Sequence, residues 1–419
     1  MGHSKSLWLV MRKGWWTELS IVLPVLLLFG IGLLSIYSAT HAAALQVYFV
    51  KQLSFGAVGI IVALVLWLLP TQMLRHWALG VYGISILLLL AVLVVGKVVY
   101  GARSWLVIGG FSLQPAEFAK LGTILFLAAY VHRPEVSLQT VRDALVVAGV
   151  TAVPVLLILF QPDFGSASTF FAIATGMSLW GGMDLLLLFL LVSLPFAMFL
   201  SLLGDVALIV GAIILGGVLL LFWIFERRSV IALLMVLLLN IAAASSVRWV
   251  YQHVLKPHQK QRIDAFLDPY VDPYGSGYHV IQSMIAVGSG GLLGKGFLKG
   301  TQTQLRYIPK QWTDFIFCVP AEEFGFAGGA TVLGIYGFLF WRLLRLVRKI
   351  RSVFESMIVI GILSLWFYHV VVNIGMALGW VPVVGIPLPF LSAGGSALIV
   401  NFAAVGLVLN VARQQRKVV

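Results

Sequence analysis

The chain has 419 residues, 61% of them hydrophobic and 10% charged, and a formal net charge of +13. So little polar surface excludes a soluble globular protein and implies a polytopic membrane protein. The positive charge does not point to nucleic acid: Arg12, Lys13, Arg75, Arg133, Arg227, Arg228, Arg342, Arg345, Arg348, Lys349, Arg413 and Arg416 flank hydrophobic stretches and read as cytoplasmic topology anchors.

In chain order, Met1-Gly2-His3-Ser4-Lys5-Ser6 fits a myristoylation pattern by letter only, a chance match in a multi-span chain. The first hydrophobic segment has full span length and no small-residue cleavage pattern, so it is expected to be retained rather than cleaved as a signal. Spans are expected at 19–39, 52–70, 77–95, 115–131, 144–160, 166–182, 184–203, 205–225, 229–249, 315–340, 355–377 and 393–411, an all-α transmembrane bundle of about twelve helices. From a cytoplasmic amino terminus this count puts every anchor inside, together with the carboxyl terminus. The outward stretches are then 40–51, 96–114, 161–165, a long polar loop at 251–312, and 378–392.

The inward stretches are all too short for a nucleotide-binding domain. The Gly-rich run Ser289 to Gly296 fails as a phosphate loop, since a Walker pattern needs Gly at 289 and Ser or Thr at 296, and Leu293 breaks the dinucleotide pattern. No internal repeat is visible. Cys318 is alone, which excludes an intramolecular disulfide and any thiolate or zinc cluster.

Eight carboxylates fall to the outer half: Glu117, Asp163, Asp264, Asp268, Asp272, Asp314, Glu322 and Glu323. Glu117, Asp163, Glu322 and Glu323 lie in or near hydrocarbon and are expected to face a cavity or a partner. Glu117 and Lys120 follow a helix-starting Pro115 and share a face. They form either an internal ion pair that positions two helices or part of a polar pocket that also draws in Asp163 and Arg103. In the long loop, Lys256, Lys260, Arg262, Lys295, Lys299, Arg306 and Lys310 suit an anionic ligand. Asp272-Pro273-Tyr274-Gly275-Ser276-Gly277-Tyr278 is good turn chemistry and equally a catalytic candidate on a polar loop. Asp264, Asp268 and Asp272 would stack on one helix face, but Pro269 and Pro273 break that helix, so they make a poor metal cluster. His279 reads as a packed ring. Pro382, Gly385, Pro387 and Pro389, followed by Ser392 to Ser396, read as irregular backbone at the outer edge, tolerated where it is buried or lines a cavity.

Eight segments together resemble one family, the SEDS proteins of bacterial cell-wall synthesis, and its elongation-type RodA branch more than the division-type FtsW branch. They are Gly101 to Trp105, Gln114 to Lys120, Gln161 to Gly165, Asp272 to Ser283, Gly300 to Gln304, Thr313 to Phe317, Ala321 to Gly325 and Pro382 to Ser396. They occur in family order and cover most of the chain outside 184–250. The resemblance implies a single SEDS-type membrane domain over 1–419 and an inverting peptidoglycan glycosyltransferase that polymerises lipid II at the outer face of the bacterial cytoplasmic membrane during elongation and shape maintenance. The polyprenyl diphosphate leaves. The implied partners are lipid II, the growing glycan strand, membrane lipid and a class B penicillin-binding protein that cross-links the product.

By the same resemblance, 251–312 is the extracytoplasmic catalytic loop, Asp272 falls on the essential aspartate as general base, and Glu117, Lys120 and Asp163 fall in the central polar cavity. Arg103, Trp105, Ser276 and Ser392, in the matching segments, are further substrate-binding candidates. No cofactor is implied outright; a divalent cation (Mg or Mn) or basic side chains would stabilise the departing diphosphate. The chain also departs from the family. Members commonly have ten spans, and two extra stand between 184 and 228; Lys310 and Trp312 replace frequent Glu and His, and Ala393 a frequent Tyr. Two competing readings are a lipid II flippase, with Glu117, Lys120 and Asp163 as the translocation path, and a non-catalytic scaffold for a penicillin-binding protein.

Overall fold

The computed structural model describes residues 2–41, 45–99, 102–108, 111–253, 260, 270, 277–309 and 311–417. The helices are α1 (Gly2–His41), α2 (Val47–Leu68), α3 (Thr71–Val95), α4 (Pro115–Val131), α5 (Val141–Leu159), α6 (Phe164–Trp180), α7 (Leu185–Leu203), α8 (Asp205–Glu226), α9 (Val230–His253), α10 (Tyr278–Ser289), α11 (Thr301–Leu305), α12 (Cys318–Glu323), α13 (Gly325–Val347), α14 (Val353–Ala377) and α15 (Gly395–Lys417). Two compact units are formed, one by 1–136, 145–180 and 279–419, the other by 137–144 and 181–278.

In the first unit α14 and α15 are the centre. Their most apolar windows are 72% and 83% buried against protein, whereas α2 and α3 bury only 22% and turn apolar residues such as Leu64, Val65, Ile84 and Leu87 outward. α15 lies along α2, α3 along α4, and α14 against α4 and α6. The α2–α15 contact depends on small residues, as in membrane packing generally. A Cβ at Gly59 would stand 2.7 Å from the Phe402 ring, and one at Gly406 2.5 Å from the Ala63 carbonyl. Asn410 of α15 donates to Leu66 O at 2.8 Å and Leu69 O at 2.6 Å, and Arg413 to Leu68 O at 3.0 Å. These bonds satisfy the carbonyls that the end of α2 leaves without intrahelical partners.

Among the described residues ten helices are long and apolar enough to cross a membrane, not about twelve. The other two expected spans, 115–131 and 166–182, fold as α4 and α6, each of 17 residues. At 1.5 Å per residue these reach about 25 Å, short of a ~30 Å hydrocarbon core. The expected span 315–340 is also divided, because the helix stops at Phe324 and restarts at Gly325, whose φ is +64°. Backbone from the Gly-rich run fills the break. Lys295 N and Gly296 N donate to Glu322 O (3.1 Å) and Glu323 O (2.9 Å), while Phe326 N and Ala327 N donate to Gly291 O (2.8 Å) and Leu292 O (3.1 Å). A Cβ on Gly294 would lie 2.1 Å from Glu323 O, and one on Gly325 2.4 Å from Gly294 N. The run that fails as a phosphate loop is a backbone clamp on a helix break.

The stretch 96–114, expected outside, contains an antiparallel meander of β1 (Lys97–Val99), β2 (Ala102–Ile108) and β3 (Phe111–Leu113), with Trp105 opposite Lys97 and Ile108 opposite Phe111. The second half of the expected 251–312 loop folds as α10 and α11. Most of its first half, including Asp264, Asp268, Asp272 and Ser276, lies outside the described residues.

The second unit centres on α7–α9, packed around Leu186, Leu219, Leu233 and Val236. Asp184 caps α7, accepting from Leu186 N at 3.0 Å and Leu187 N at 3.3 Å, and pairs with Arg228, which also holds Glu226 at 2.9 Å. Arg248 pairs with Asp205, and the buried Asn240 donates to Ser193 at 3.1 Å.

Candidate functional site

The first unit holds three polar constellations. The first begins at the amino end of α4, where Pro115 starts the helix without needing an N–H partner. One turn in, Lys120 Nζ donates to Glu117 Oε1 at 2.7 Å, with the two residues 1% and 3% exposed. Such burial makes the pair obligatory, since either charge alone would be costly. On its other side Lys120 Nζ lies 3.4 Å from Nε2 of His369 on α14, which lies 3.4 Å from Thr169 Oγ1 on α6. An ammonium only donates, so Nε2 accepts and the ring proton sits on Nδ1. Three helices are thus joined by a buried chain of polar groups.

Asp163 sits just above, as the cap of α6. Its Oδ1 accepts from Ser166 N at 3.0 Å and its Oδ2 from Ser166 Oγ at 2.9 Å and Gln114 Nε2 at 3.0 Å. Gln114 N donates to Ser396 Oγ at 3.0 Å. The starts of α4, α6 and α15 therefore share one hydrogen-bond network, and Glu117, Lys120 and Asp163 are brought to one end of the bundle.

The second constellation surrounds Ser392. Its hydroxyl donates to Thr313 O at 2.6 Å and accepts from Leu388 N at 2.8 Å, while Gln52 Nε2 donates to Ser392 O at 3.0 Å. Asn373, on the same face of α14 as His369, donates to Asp314 O at 2.8 Å and Ile386 O at 2.7 Å. These bonds fix the irregular backbone at 384–394 against 312–314, and they occupy the Ser392 hydroxyl.

Glu322 anchors the third. Its carboxylate accepts from Lys295 Nζ (2.8 Å), Gln302 N (2.8 Å), Thr303 N (2.9 Å) and Thr303 Oγ1 (2.7 Å), and so caps α11. Burial opposes ionisation most strongly, but the Lys295 ammonium and the donors of Gln302 and Thr303 outweigh it and hold the carboxyl below the ordinary range. Burial pushes the neighbouring Glu323 upward, partly offset by the hydroxyl of Ser38 and the amide of Gln304. Both residues face protein partners.

Arg103 and Trp105 sit apart on β2. Arg103 is exposed and donates to Leu93 O at 3.1 Å; Trp105 is half-buried. Asp272 and Ser276 lie outside the described residues. Among the described residues no three His, Cys, Asp or Glu side chains gather in a way that could hold a metal ion. His369 and Thr169 were absent from the candidates read in the sequence, and Lys295, read there as suiting an anionic ligand, is held by Glu322. A histidine in the middle of an apolar span was the available signal for the first of them.

The family model FTSW_RODA_SPOVE, described as a cell cycle protein, matches residues 18–212 and 204–417. The chain belongs to this family. It is 34% identical to the peptidoglycan glycosyltransferase RodA of Treponema pallidum (strain Nichols) over 94% of this chain and 97% of the relative. It is also 34% identical to the peptidoglycan glycosyltransferase MrdB of Escherichia coli (strain K12), over 96% and 95%. A solved chain from work on structural coordination of polymerization and crosslinking by a peptidoglycan synthase complex superposes with a TM-score of 0.70, at 34% identity, over 94% of this chain and 97% of that one. As an FtsW/RodA/SpoVE family member, the chain places the Glu117–Lys120–His369 cluster in a multi-span bundle shared with its relatives.

Proposed function

We propose that this family member is an elongation-type peptidoglycan glycosyltransferase that polymerises lipid II at the outer face of the cytoplasmic membrane, with both termini inside. The observation that carries the reading is the buried Glu117–Lys120–His369 chain, set beside the Asp163-capped start of α6 in a bundle whose other faces are apolar, in a chain matched along its length by named glycosyltransferases. Lipid II keeps its polyprenyl tail in lipid and its reactive sugar at the interface, and its diphosphate attracts Lys and Arg. Basic side chains at the outer interface would suit that substrate.

In the proposed step the acceptor's 4-hydroxyl oxygen attacks the donor sugar's C1 with inversion. The new C–O bond forms as the C1–O bond to the diphosphate breaks; the electron pair leaves with the diphosphate and the proton goes to Asp272. The leaving group supplies the driving force, so no nucleotide is required. Arg103, Trp105 and Ser276 are proposed substrate contacts, while Ser392, its hydroxyl already engaged, acts by positioning the outer backbone. The proposed partner is a class B penicillin-binding protein; the superposable chain from the peptidoglycan synthase complex supports this.

Incubating the purified chain with lipid II and no other transferase tests the proposal: glycan strands form with the wild type and not with Asp272→Asn. The flippase reading draws on the same buried charges, which lie between helices rather than at the surface. Lipid II crossing proteoliposome membranes without polymer would establish it instead, and neither product would leave the scaffold reading.

A further inference from the structure

A cavity of about 400 Å³ opens between the first turns of α3 and the last turns of α4, at the opposite end of α4 from Glu117. We propose that it binds the headgroup and proximal acyl chain of an anionic phospholipid. The inference is independent of glycosyl transfer and uses only the membrane placement of α3.

The lining is ordered by depth. Gln72, Arg75 and His76 of α3 line it together with Tyr130 and Arg133 at the end of α4; one to two turns deeper, α3 contributes Leu79 and α4 contributes Phe126. From Gln72 to Leu79 α3 rises about 10 Å, and from Tyr130 back to Phe126 α4 rises about 6 Å. Both polar ends thus meet at the membrane boundary and both apolar ends point toward hydrocarbon. Leu79 itself is 63% exposed, so the apolar end opens to lipid rather than to the protein core.

None of the lining residues is acidic. Among the described residues neither Arg75 nor Arg133 enters an ion pair. Arg75 Nη1 bonds Nε2 of His132 at 2.7 Å, and Arg133 lies over the Tyr130 ring at 5.7 Å. Burial, and then the Arg75 charge, hold His132 below the ordinary imidazole value, so the ring stays neutral and accepts from the guanidinium. His132 therefore orients Arg75 without neutralising it. An arginine fork presents paired donors to a phosphate, and a basic pocket between membrane-embedded helices at the cytoplasmic side is a known form of anionic-lipid site. At ~30 Å³ per water-sized group the cavity takes about a dozen, which suits a phosphodiester, a glycerol and the first methylenes.

The test uses the purified full chain in detergent, with bound lipid read by native mass spectrometry during titration with phosphatidylglycerol, phosphatidylcholine or inorganic phosphate. The wild type should retain phosphatidylglycerol over phosphatidylcholine by about tenfold or more, the factor expected when two basic side chains each act on one anionic headgroup. Arg75→Gln with Arg133→Gln should abolish the preference. Arg345→Gln with Arg348→Gln, at the end of α13, should leave it unchanged. Should the first pair disturb folding, Leu79→Trp keeps both arginines and closes the apolar end, and should also lower retention. Unchanged retention in both the Arg75/Arg133 and Leu79 variants overturns the proposal. So does equal retention of the two lipids, or full displacement of phosphatidylglycerol by millimolar inorganic phosphate, which would mark a free-anion site.

Discussion

Removing one member of the Glu117–Lys120 pair should cost far more than removing both. Glu117→Gln leaves the Lys120 ammonium without an anion, facing a neutral amide oxygen and the imidazole of His369 at 3.4 Å, near the limit of a hydrogen bond. Lys120→Met leaves a carboxylate that is 3% exposed with no cation. Breaking a buried pair typically costs about 3–5 kcal/mol, whereas replacing both partners by neutral groups is often close to neutral. The double variant should therefore be more stable than the sum of the singles by at least about 3 kcal/mol, the cost of one unpaired charge. His369→Leu, which removes the two 3.4 Å contacts to Lys120 and Thr169, should cost about 1–2 kcal/mol. The assay is unfolding in mixed micelles with a denaturing detergent, in parallel with polymerisation. Additivity within about 0.5 kcal/mol in stability and in log activity would refute the coupling, and would make Glu117 and Lys120 separate substrate contacts.

Asp272→Asn should lower polymerisation by about a hundred- to ten-thousand-fold with folding and partner binding intact, and Asp264→Asn and Asp268→Asn should be milder; near wild-type synthesis by Asp272→Asn removes it as the base. In intact cells an impermeant maleimide should reach Lys299→Cys and not Arg348→Cys, and the reverse pattern would invert the proposed topology. The native Cys318 gives no background, because burial pushes its thiol up to about 12 and leaves on the order of one thiolate in a hundred thousand at pH 7. Glu322 is held below the ordinary carboxyl range, so its stabilisation is fully present above about pH 5 and is lost as pH falls through the depressed value. Hydrogen exchange over 300–305 should stay slow down to that pH in the wild type and quicken at all pH values in Glu322→Gln; loosening already at pH 6 in the wild type would contradict this. Replacing 184–228 with a short linker, together with Asn240→Leu so that no amide is stranded without Ser193, should leave polymerisation measurable, and its complete loss in an inserted, folded protein would show that α7 and α8 shape the active cavity.

Hydropathy carried most of the helix count, because a continuous apolar stretch is a local property. It overcounted at α4 and α6, where an apolar run of 17 residues satisfies the pattern without the full length. The Glu117–Lys120 pair was legible for the same local reason, being three residues apart on a helix that Pro115 starts. The cap at Asp163 was legible too, as an aspartate three residues before Ser166, although it was read only as a charge. His369 was not placed beside Lys120, because its partner is 249 residues away and no spacing rule spans that distance. The break at Phe324 was hidden because Cys318 to Phe340 reads as one apolar span apart from its two glutamates. What divides it is the positive φ of Gly325 and hydrogen bonds from a loop some thirty residues earlier.

The Gly294–Gly325 clamp also bears on how the protein enters the membrane. The insertion machinery responds to segment hydrophobicity, and on that criterion 315–340 is a single passenger that would carry Glu322 and Glu323 into hydrocarbon. In the finished protein the crossing helix starts only at Gly325, and the preceding turn is held by backbone from Gly291 to Gly296. The boundary between what is threaded into lipid and what is held at its edge is therefore drawn by the protein's own later folding. A side chain at either glycine would act as a defect of biogenesis, giving a chain that is inserted and full length but seated about a turn out of register in its third-last crossing.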